Sequence, residues 1–558
     1  MTQRLKDGIF APQPPPGHRD WYAYESLRAL PRLILMVDKN QYSKTYGCCD
    51  RSYWHYRTMD FPCGMNQEFV LPLALAYKMD LPHNHYRGKE RLRELALAGI
   101  DYAIKGSYTD GTTDDYFPFE RAMGALVFSL YAMSETCIEL GENADRHLDF
   151  FALRGDWLLK HNETGKLANH QAFAALALYN VYLLTKDEKY RRGSNQFRDL
   201  TLSWQNSEGW FQEYEGADPG YHACLISFFA KLWQKSKDEK ILKALLPAVD
   251  FAHLFMHPDG SYAGEYGSRN TFHFYPHGFE VLAPFSRKAG EIADSFLHRA
   301  MPNRTRYYND DDRMAAHYVY DWMHSWRDYA AERPGPVELP AEREATWLPN
   351  CKMIVDKNPN YHFIANASKG GAFKALTKEG VFAGDTGIIA ELEDGRIIVT
   401  HIVGKNNATV SEDKTQIDIR GVFQVRKQLL PTPFKQVLFR VFMLTVGRFN
   451  ANAVRAFLQK VLIVQKAPLK IHFRRRIELK DDQIIVRDEI INREKVKFVR
   501  VSWPTDATSI YVANSNVFQE STLHPWEHLT DADVETLNEQ KRVLKNRRLR
   551  VPTDHGSE

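Results

Sequence analysis

The sequence contains few cysteines, and their spacing does not suggest that they are linked. It has six in 558 residues, Cys48 and Cys49 are adjacent, and no CxxC pair occurs. Adjacent cysteines are poor disulfide partners, and common structural zinc sites use paired CxxC motifs. We therefore expect reduced thiols, and we predict neither a bound metal nor a cofactor.

Long apolar runs are also lacking. No uninterrupted stretch reaches the roughly 18 apolar residues of a membrane-spanning helix. Residues 1–17, MTQRLKDGIFAPQPPPG, have no apolar core of the kind found in a signal peptide. We expect no spanning helix and a cytoplasmic location.

An excess of charge and a regular repeat are absent as well. The formal net charge of +3 is too small to indicate a nucleic-acid partner. No motif recurs at a fixed period, which argues against a consensus helical solenoid. Aromatic residues make up 13% of the chain, and they would suit either a large core or a carbohydrate cleft. The oligomeric state stays open.

The hydrophobic pattern changes once along the chain. After a Pro-rich arm (1–20), residues 21–335 show recurrent helical periodicity, and a Pro- and charge-rich linker follows at 336–345. Residues 346–525 alternate with period two between Gly and Asp turns. This pattern predicts a multidomain α-then-β chain, with an N-terminal (α/α) toroid, an incomplete barrel of helical hairpins, followed by an antiparallel β-sandwich. Residues 526–558 are predicted to form a charged tail.

One apolar segment interrupts the predicted strands at 434–466. It carries Lys435, Arg440, Arg448, Arg455 and Lys460 at intervals. We predict two amphipathic helices with two alternative roles. They either rest on a membrane surface as a peripheral contact or pack against the rest of the chain.

Two segments place reactive groups at helix starts. Asn169 and His170 open an apolar helical run, and a Gly- and Asp-Pro-punctuated loop from Gly209 delivers Tyr221 and His222 to another. Helix N-termini carry free N–H groups and partial positive charge, which suits an anionic group. Taken singly, each motif is also typical of an ordinary N-cap or turn.

The order of these motifs, followed by a β-domain, resembles the heparinase II/III-like polysaccharide lyases. The residues that carry the resemblance are Asn169, His170, Glu213, Tyr221 and His222. It implies cleavage of a uronate-containing glycan by β-elimination, in which a base removes the C5 proton and the C4–O bond breaks. Asn169 would bind the uronate carboxyl group, and His170 would be its charge partner or the base. Tyr221 would be the acid, with the base as an alternative or additional role. Glu213 and His222 would lie at the substrate.

Other polar loops supply further candidates. The loop 264–280 contains Arg269, a candidate for binding carboxylate or sulfate, with His273 for substrate and His277 for catalysis. A buried, hydrogen-bonded loop is the alternative for both histidines. Two N-terminal segments add aromatic and polar candidates for substrate binding: Tyr53, Trp54, Arg57, Gln67, Tyr116 and Glu120.

The start of the β-domain departs from the resemblance. Several relatives carry a His- and Asp-bearing strand there, whereas this chain has Ser368, Lys369 and Lys374. We expect no zinc at that point, and we assign Lys369 to substrate binding.

Three functions remain open from the sequence. The first is a lyase that acts on an anionic polysaccharide or oligosaccharide. The second is a uronate C5-epimerase, which shares the proton abstraction but returns the proton instead of expelling O4. The third is a non-catalytic glycan-binding or envelope-polysaccharide assembly protein.

Overall fold

The structure, a computed structural model, describes residues 11–56, 59–163, 165–303, 306, 313–426, 432–458, 467–506 and 517–552. Its N-terminal part consists of α-helices, and several helices that are consecutive along the chain pack against each other as antiparallel neighbours. In chain order they are α1 Asp20–Met36, α2 Val70–Lys78, α3 Glu90–Gly106, α4 Met123–Leu140, α5 Asp145–Leu158, α6 Ala168–Thr185, α7 Glu188–Leu202, α8 Pro219–Ser236, α9 Glu239–Leu254, α10 His277–Leu282, α11 Arg287–Ser295 and α12 Ala315–Arg327.

The helices pack as a ring. Each of several helices contacts the next along the chain, and α12 returns to pack against α1. Helices α4, α6 and α8 are apolar on most of their surface and form the inner layer, where the rings of Phe173 and Phe228 stack with centroids 3.8 Å apart. Helices that are apolar all round belong inside a protein. By length and composition alone α4 could also cross a membrane, but most of it is buried here.

Two antiparallel sheets follow. The first has the order β1-β2-β3-β4-β5, with β1 Glu344–Leu348, β2 Met353–Lys357, β3 His362–Asn366, β4 Ala372–Thr377 and β5 Gly380–Asp385. The second has the order β13-β12-β6-β7-β9-β10-β11-β14, with β8 paired to β9. Its strands are β6 Ile389–Leu392, β7 Ile397–Val399, β8 Asn407–Val410, β9 Gln416–Val425, β10 Pro468–Leu479, β11 Gln483–Asn492, β12 Phe498–Trp503, β13 Glu527–His528 and β14 Arg542–Arg550.

The central strands of the first sheet, β2 to β4, are buried on both faces. Successive side chains of a strand point to opposite faces, so Met353 and Val355 join the core of the helical ring, whereas Ile354 joins the core between the sheets. The predicted fold class, a helical toroid followed by a β-sandwich, is confirmed.

The prediction of a charged tail from residue 526 is wrong. Residues Asp531–Gln540 form a helix, α15, and β14 then pairs with β11 at the edge of the second sheet. Lysine and arginine are common on edge strands because charge discourages pairing with other chains. The basic sequence that suggested a tail therefore belongs to an edge strand, β14. Its Arg547 is buried and donates to Asp488 at 2.9 Å.

The apolar insert forms two helices between β9 and β10. They are α13 Pro433–Thr445 and α14 Ala451–Leu458, and the remainder of the predicted insert, 459–466, lies outside the described residues. Thr432 caps α13, since its side chain accepts a hydrogen bond from the Lys435 N–H at 3.3 Å. These helices, which we call the insert (432–458), lie against the toroid near residues 117–120.

Candidate active site

The first turns of α6 and α8 are joined by the loop 209–218. The loop forms an antiparallel bridge between Glu213 and Leu167, and the N–H of Tyr214 donates to the Lys166 carbonyl at 2.7 Å. Asp218 then caps α8 by accepting from the Tyr221 N–H at 3.1 Å. The two helix starts that the sequence singled out are thereby held side by side.

Asn169 is bound to Glu213 rather than open to solvent. Its backbone N–H donates to Oε1 at 2.7 Å, and its side-chain Nδ2 lies 2.9 Å from both carboxyl oxygens. Both residues are buried. Burial raises the pKa of Glu213 to about 8, and the bonds from Asn169 only partly oppose this. A carboxyl group with such a pKa is mostly protonated at neutral pH.

Arg269 lies next to this pair. Its backbone N–H donates to Asp218 Oδ2 at 2.8 Å, and its guanidinium carbon lies 4.1 Å from the ring centroid of Tyr214. The charge of Arg269 also favours ionisation of Glu213. Tyr214 has a left-handed φ of 55°, which is uncommon for a bulky residue and is often found where function fixes the backbone.

Tyr221 is half-buried at the start of α8. Its ring centroid is 5.6 Å from that of His273. Burial lowers the pKa of His273 to about 3, so this histidine is neutral, and its Nδ1 lies 2.5 Å from the Tyr318 hydroxyl. Although burial disfavours the charge of Arg313, nearby Asp115, Tyr116, Cys63 and Tyr221 raise its pKa well above the usual value. Tyr221 therefore lies within the field of a fixed cation.

His170 faces a buried chain of charges. Its Nδ1 is 3.0 Å from Glu163 Oε2, and Arg455 of the insert is 2.9 Å from Glu163 Oε1. Burial opposes ionisation of Glu163, but the bond with His170 and the charge of Arg455 lower its pKa to about 2. His170 is partly exposed, with 22% of its side chain accessible, so one edge of its ring can reach a ligand.

Glu120 joins the same chain of charges. Its carboxylate accepts from the Tyr116 N–H at 2.8 Å and lies 3.7 Å from Arg455. Burial and the neighbouring Asp115 raise the pKa of Glu120 to about 7, against the charge of Arg455. The ring of Tyr116 lies 4.8 Å from the Arg313 guanidinium. Glu120 and Tyr116 thus belong to one group of neighbouring polar residues, which we call the polar cluster. Its other members are Glu163, Asn169, His170, Glu213, Tyr214, Asp218, Tyr221, Arg269, Arg313 and Arg455.

Three predicted site residues are instead held in the core. The amide of Gln67 bonds to the backbone of Cys49 and Gly99, and His222 Nε2 lies 2.9 Å from the Ala248 carbonyl. His277 Nε2 is 2.7 Å from Asp328, in a separate group of buried polar residues on α8 and α12. Buried polar groups need partners, and each of these three side chains makes at least one hydrogen bond within the protein.

Lys369 is also fully engaged. Its ammonium donates to the Gly267 carbonyl at 2.7 Å, to the Glu265 carbonyl and to the Asn270 side chain. Burial lowers its pKa to about 7, while three oxygen acceptors match the three donors of the charged form. Lys369 therefore holds the loop that carries Arg269, and it does so from the β-domain.

The first aromatic segment, which contains Tyr53 and Trp54, lies between α1 and α2. Trp54 donates its indole N–H to the Met36 carbonyl at 2.9 Å, and Tyr53 is half-buried in the same turn. Arg57 lies outside the described residues. Asp50, which accepts from the Tyr53 N–H at 3.3 Å, also accepts from the Cys63 N–H at 2.9 Å. The Cys63 thiol donates to Asp115, the partner of Arg313, so this turn reaches the cluster through intervening residues.

The sequence analysis did not assign several residues to the site: Glu163, Tyr214, Arg313 and Arg455. It also did not foresee that Asp218 bonds to Arg269. Tyr214 could have been noticed, since it adjoins Glu213 in the same loop. Arg455 could not, because it lies in a different domain and nearly 300 residues from its partner. Within the described ranges, no three His, Cys, Asp or Glu side chains are placed to hold a metal ion.

Comparison with known proteins finds the fold but no relative by sequence. No protein family and no curated protein matches the sequence. Among solved structures, chondroitin AC lyase from Streptomyces coelicolor, in complex with chondroitin sulphate, aligns with a TM-score of 0.52 and 12% identity, over 90% of this chain and 70% of that one. Heparan sulfate lyase HepC from Pedobacter heparinus aligns with a TM-score of 0.39 and 11% identity, over 86% and 70%. The chain has the toroid-plus-sandwich fold of a polysaccharide lyase.

Proposed function

We propose that this protein is an enzyme acting on an anionic polysaccharide, and specifically a lyase that cleaves a uronate-containing glycan by β-elimination. The observation that carries this proposal is that Tyr221, Arg269, Arg313 and His170 belong to one polar cluster on the helical toroid. The chondroitin AC lyase of the same fold was solved with chondroitin sulphate, and an anionic glycan is the substrate class that cationic side chains suit.

The first requirement of β-elimination is a neutralised uronate carboxyl group, because negative charge develops there as the C5 proton leaves. Arg269 supplies a cation, and the Asn169–Glu213 pair supplies a neutral donor. When Glu213 is protonated, its O–H can donate to the side-chain oxygen Oδ1 of Asn169, once the side-chain amide of Asn169 has turned over. The Asn169 NH₂ then faces away from Glu213 and is available to the substrate carboxylate.

The second requirement is a base and an acid. In the neutral form of His170 whose Nδ1–H donates to Glu163, Nε2 carries the lone pair and is the atom that takes the C5 proton. The C5–H electron pair becomes the C4–C5 double bond, and the C4–O bond breaks. Tyr221 gives its hydroxyl proton to the departing O4, and the field of Arg313 stabilises the tyrosinate that results.

The test is a product assay with a matched pair of variants. Wild-type protein incubated with uronate glycans should release products that absorb in the ultraviolet through the new double bond. Tyr221→Phe should lower turnover by roughly 10²–10⁴-fold with little change in KM, the usual contribution of a placed proton donor. Tyr179→Phe removes another half-buried hydroxyl, on α6 but outside the cluster, and should retain full activity.

Two outcomes would overturn this proposal. Wild-type turnover in Tyr221→Phe would remove Tyr221 from the chemistry. Incorporation of deuterium at C5 from D₂O, without chain cleavage, would identify a uronate C5-epimerase instead.

A further inference from the structure

The insert (432–458) is apolar, yet little of it is buried. In α13, Met443 is buried, and in α14, Val454 and Arg455 are. A helix that packs within a globular protein normally buries a stripe about a third of its circumference wide. The rest of the apolar surface of these helices therefore faces outward.

The insert is anchored to the toroid by one side. Phe439 packs edge-on against Phe117 with centroids 5.6 Å apart, and Arg440 is 3.0 Å from Asp60. Arg455 reaches the buried carboxylate of Glu163 at 2.9 Å. These contacts fix which side of the two helices faces the protein.

The opposite side of α13 is a continuous apolar stripe. Phe434, Val437, Leu438 and Val441 occupy positions i, i+3, i+4 and i+7, which share one face of a helix, and Leu438 is 60% exposed. Phe449, between the two helices, is 82% exposed. The exposed apolar side chains of the insert are Phe434, Val437, Leu438, Val441, Phe442, Leu444, Val446, Phe449 and Phe457. A contiguous patch of this kind on a protein surface marks an interaction site.

The charge of the insert selects the partner. Residues 432–458 contain Lys435, Arg440, Arg448 and Arg455 and no Asp or Glu. Arg440 is paired with Asp60 and Arg455 with Glu163 and Glu120, whereas Lys435 and Arg448 are exposed. A second copy of this chain would bring two more exposed cations against these two, without acids in the same segment to pair with. A partner with an apolar interior and a negatively charged surface would accommodate both the apolar stripe and the cations of the insert.

We propose that the insert docks on an anionic lipid bilayer, with the α13 stripe in the headgroup–acyl boundary and the exposed Lys435 and Arg448 among the headgroups. Arg455 connects the same insert to the polar cluster, so docking would bring that cluster close to the membrane surface. The proposal does not depend on the reaction proposed above.

The test is sedimentation with vesicles of phosphatidylglycerol and phosphatidylcholine, compared with pure phosphatidylcholine. The wild-type protein should bind the anionic vesicles, and binding should weaken as salt rises. The double variant Leu438→Asp/Val441→Asp should bind at least about tenfold more weakly. Leu35→Asp, which alters a similarly exposed leucine on α1, should bind as wild type does.

A second pair of variants tests the charge. Lys435→Glu should weaken binding to the anionic vesicles, whereas Lys44→Glu, an exposed lysine on the toroid, should not. Equal binding of the double variant and the wild type would overturn the proposal, as would equal binding to both kinds of vesicle. A wild-type dimer that ignores vesicles, and that Leu438→Asp/Val441→Asp dissociates, would assign the patch to a second copy instead.

Discussion

At the residue scale, the Asn169–Glu213 pair makes the protein sensitive to pH. The unfolded chain titrates Glu213 near its ordinary pKa of about 4.3, whereas burial raises the folded value to about 8. Between these values the folded state holds one more proton than the unfolded state. The contribution of Glu213 to stability is therefore fully present below the unfolded pKa and is lost as pH rises toward 8.

We predict that Glu213→Gln removes this pH dependence. Glutamine cannot ionise, so the melting temperature of the variant should fall less than that of the wild type between about pH 5 and about pH 8. All other titrating groups are shared, and the difference between the two curves reports Glu213 alone. Parallel curves would mean that Glu213 has an ordinary pKa in the folded protein.

The sequence located the two helix starts of the site but not how their residues are paired. Asn169 was expected to meet a substrate, and in the structure its amide is bonded to Glu213 because a buried carboxyl group must be satisfied. The proposed reaction therefore requires that amide to turn over before it reaches a substrate. His222 was taken for a site residue because it follows Tyr221. One residue along a helix turns the side chain by about a quarter of a circle, and His222 consequently points to Ala248 in the core.

At the element scale, the change from helical to strand periodicity was sufficient to predict the two domains. Strands with one exposed face can be recognised because apolar and polar residues alternate along them, as in β10 and β11. The pattern fails for β14, where the basic residues of an edge strand read as a tail. It also cannot predict that α14 crosses to the toroid, because no local pattern specifies a partner in another domain.

We predict that Arg455 is the main anchor of the insert. Arg455→Met leaves the buried carboxylate of Glu163 without its cation and removes the positive charge beside Glu120. Removing one partner of a buried ion pair costs about 3–5 kcal/mol. The variant should unfold at lower denaturant concentration, and the amides of 432–458 should exchange faster with solvent.

Arg448→Met is the matched control, because this exposed arginine of the same insert makes a cation–π contact with Phe119 at 4.8 Å. Such a contact is worth about 0.5–1 kcal/mol at an exposed site. Arg455→Lys keeps the charge but not the planar fork, and should fall between the two. Equal effects of Arg455→Met and Arg448→Met would show that the insert is held by other contacts.

At the scale of the whole molecule, the β-domain positions part of the toroid's polar cluster. The loop 264–270 is bonded by Lys369, by Lys374 through Glu265 at 2.7 Å, and by Asn366, whose Nδ2 donates to the Tyr266 carbonyl at 2.8 Å. Arg269 lies in this loop. Side chains of the β-domain therefore hold the loop that carries Arg269.

We predict that Lys369→Met lowers both stability and activity, although Lys369 need not touch a substrate. The variant leaves the Gly267 and Glu265 carbonyls without their donor, at a cost of about 1–3 kcal/mol for each buried group. The loop should then exchange its amides faster, and turnover should fall as Arg269 loses its fixed position. Lys378→Met removes an exposed pair with Glu338 in the same domain and should change stability by less than about 1 kcal/mol. Hydrogen exchange of residues 264–271, measured with turnover on the same samples, separates the two effects. If Lys369→Met loses activity while the loop exchanges at the wild-type rate, then Lys369 acts on the substrate directly rather than through the loop.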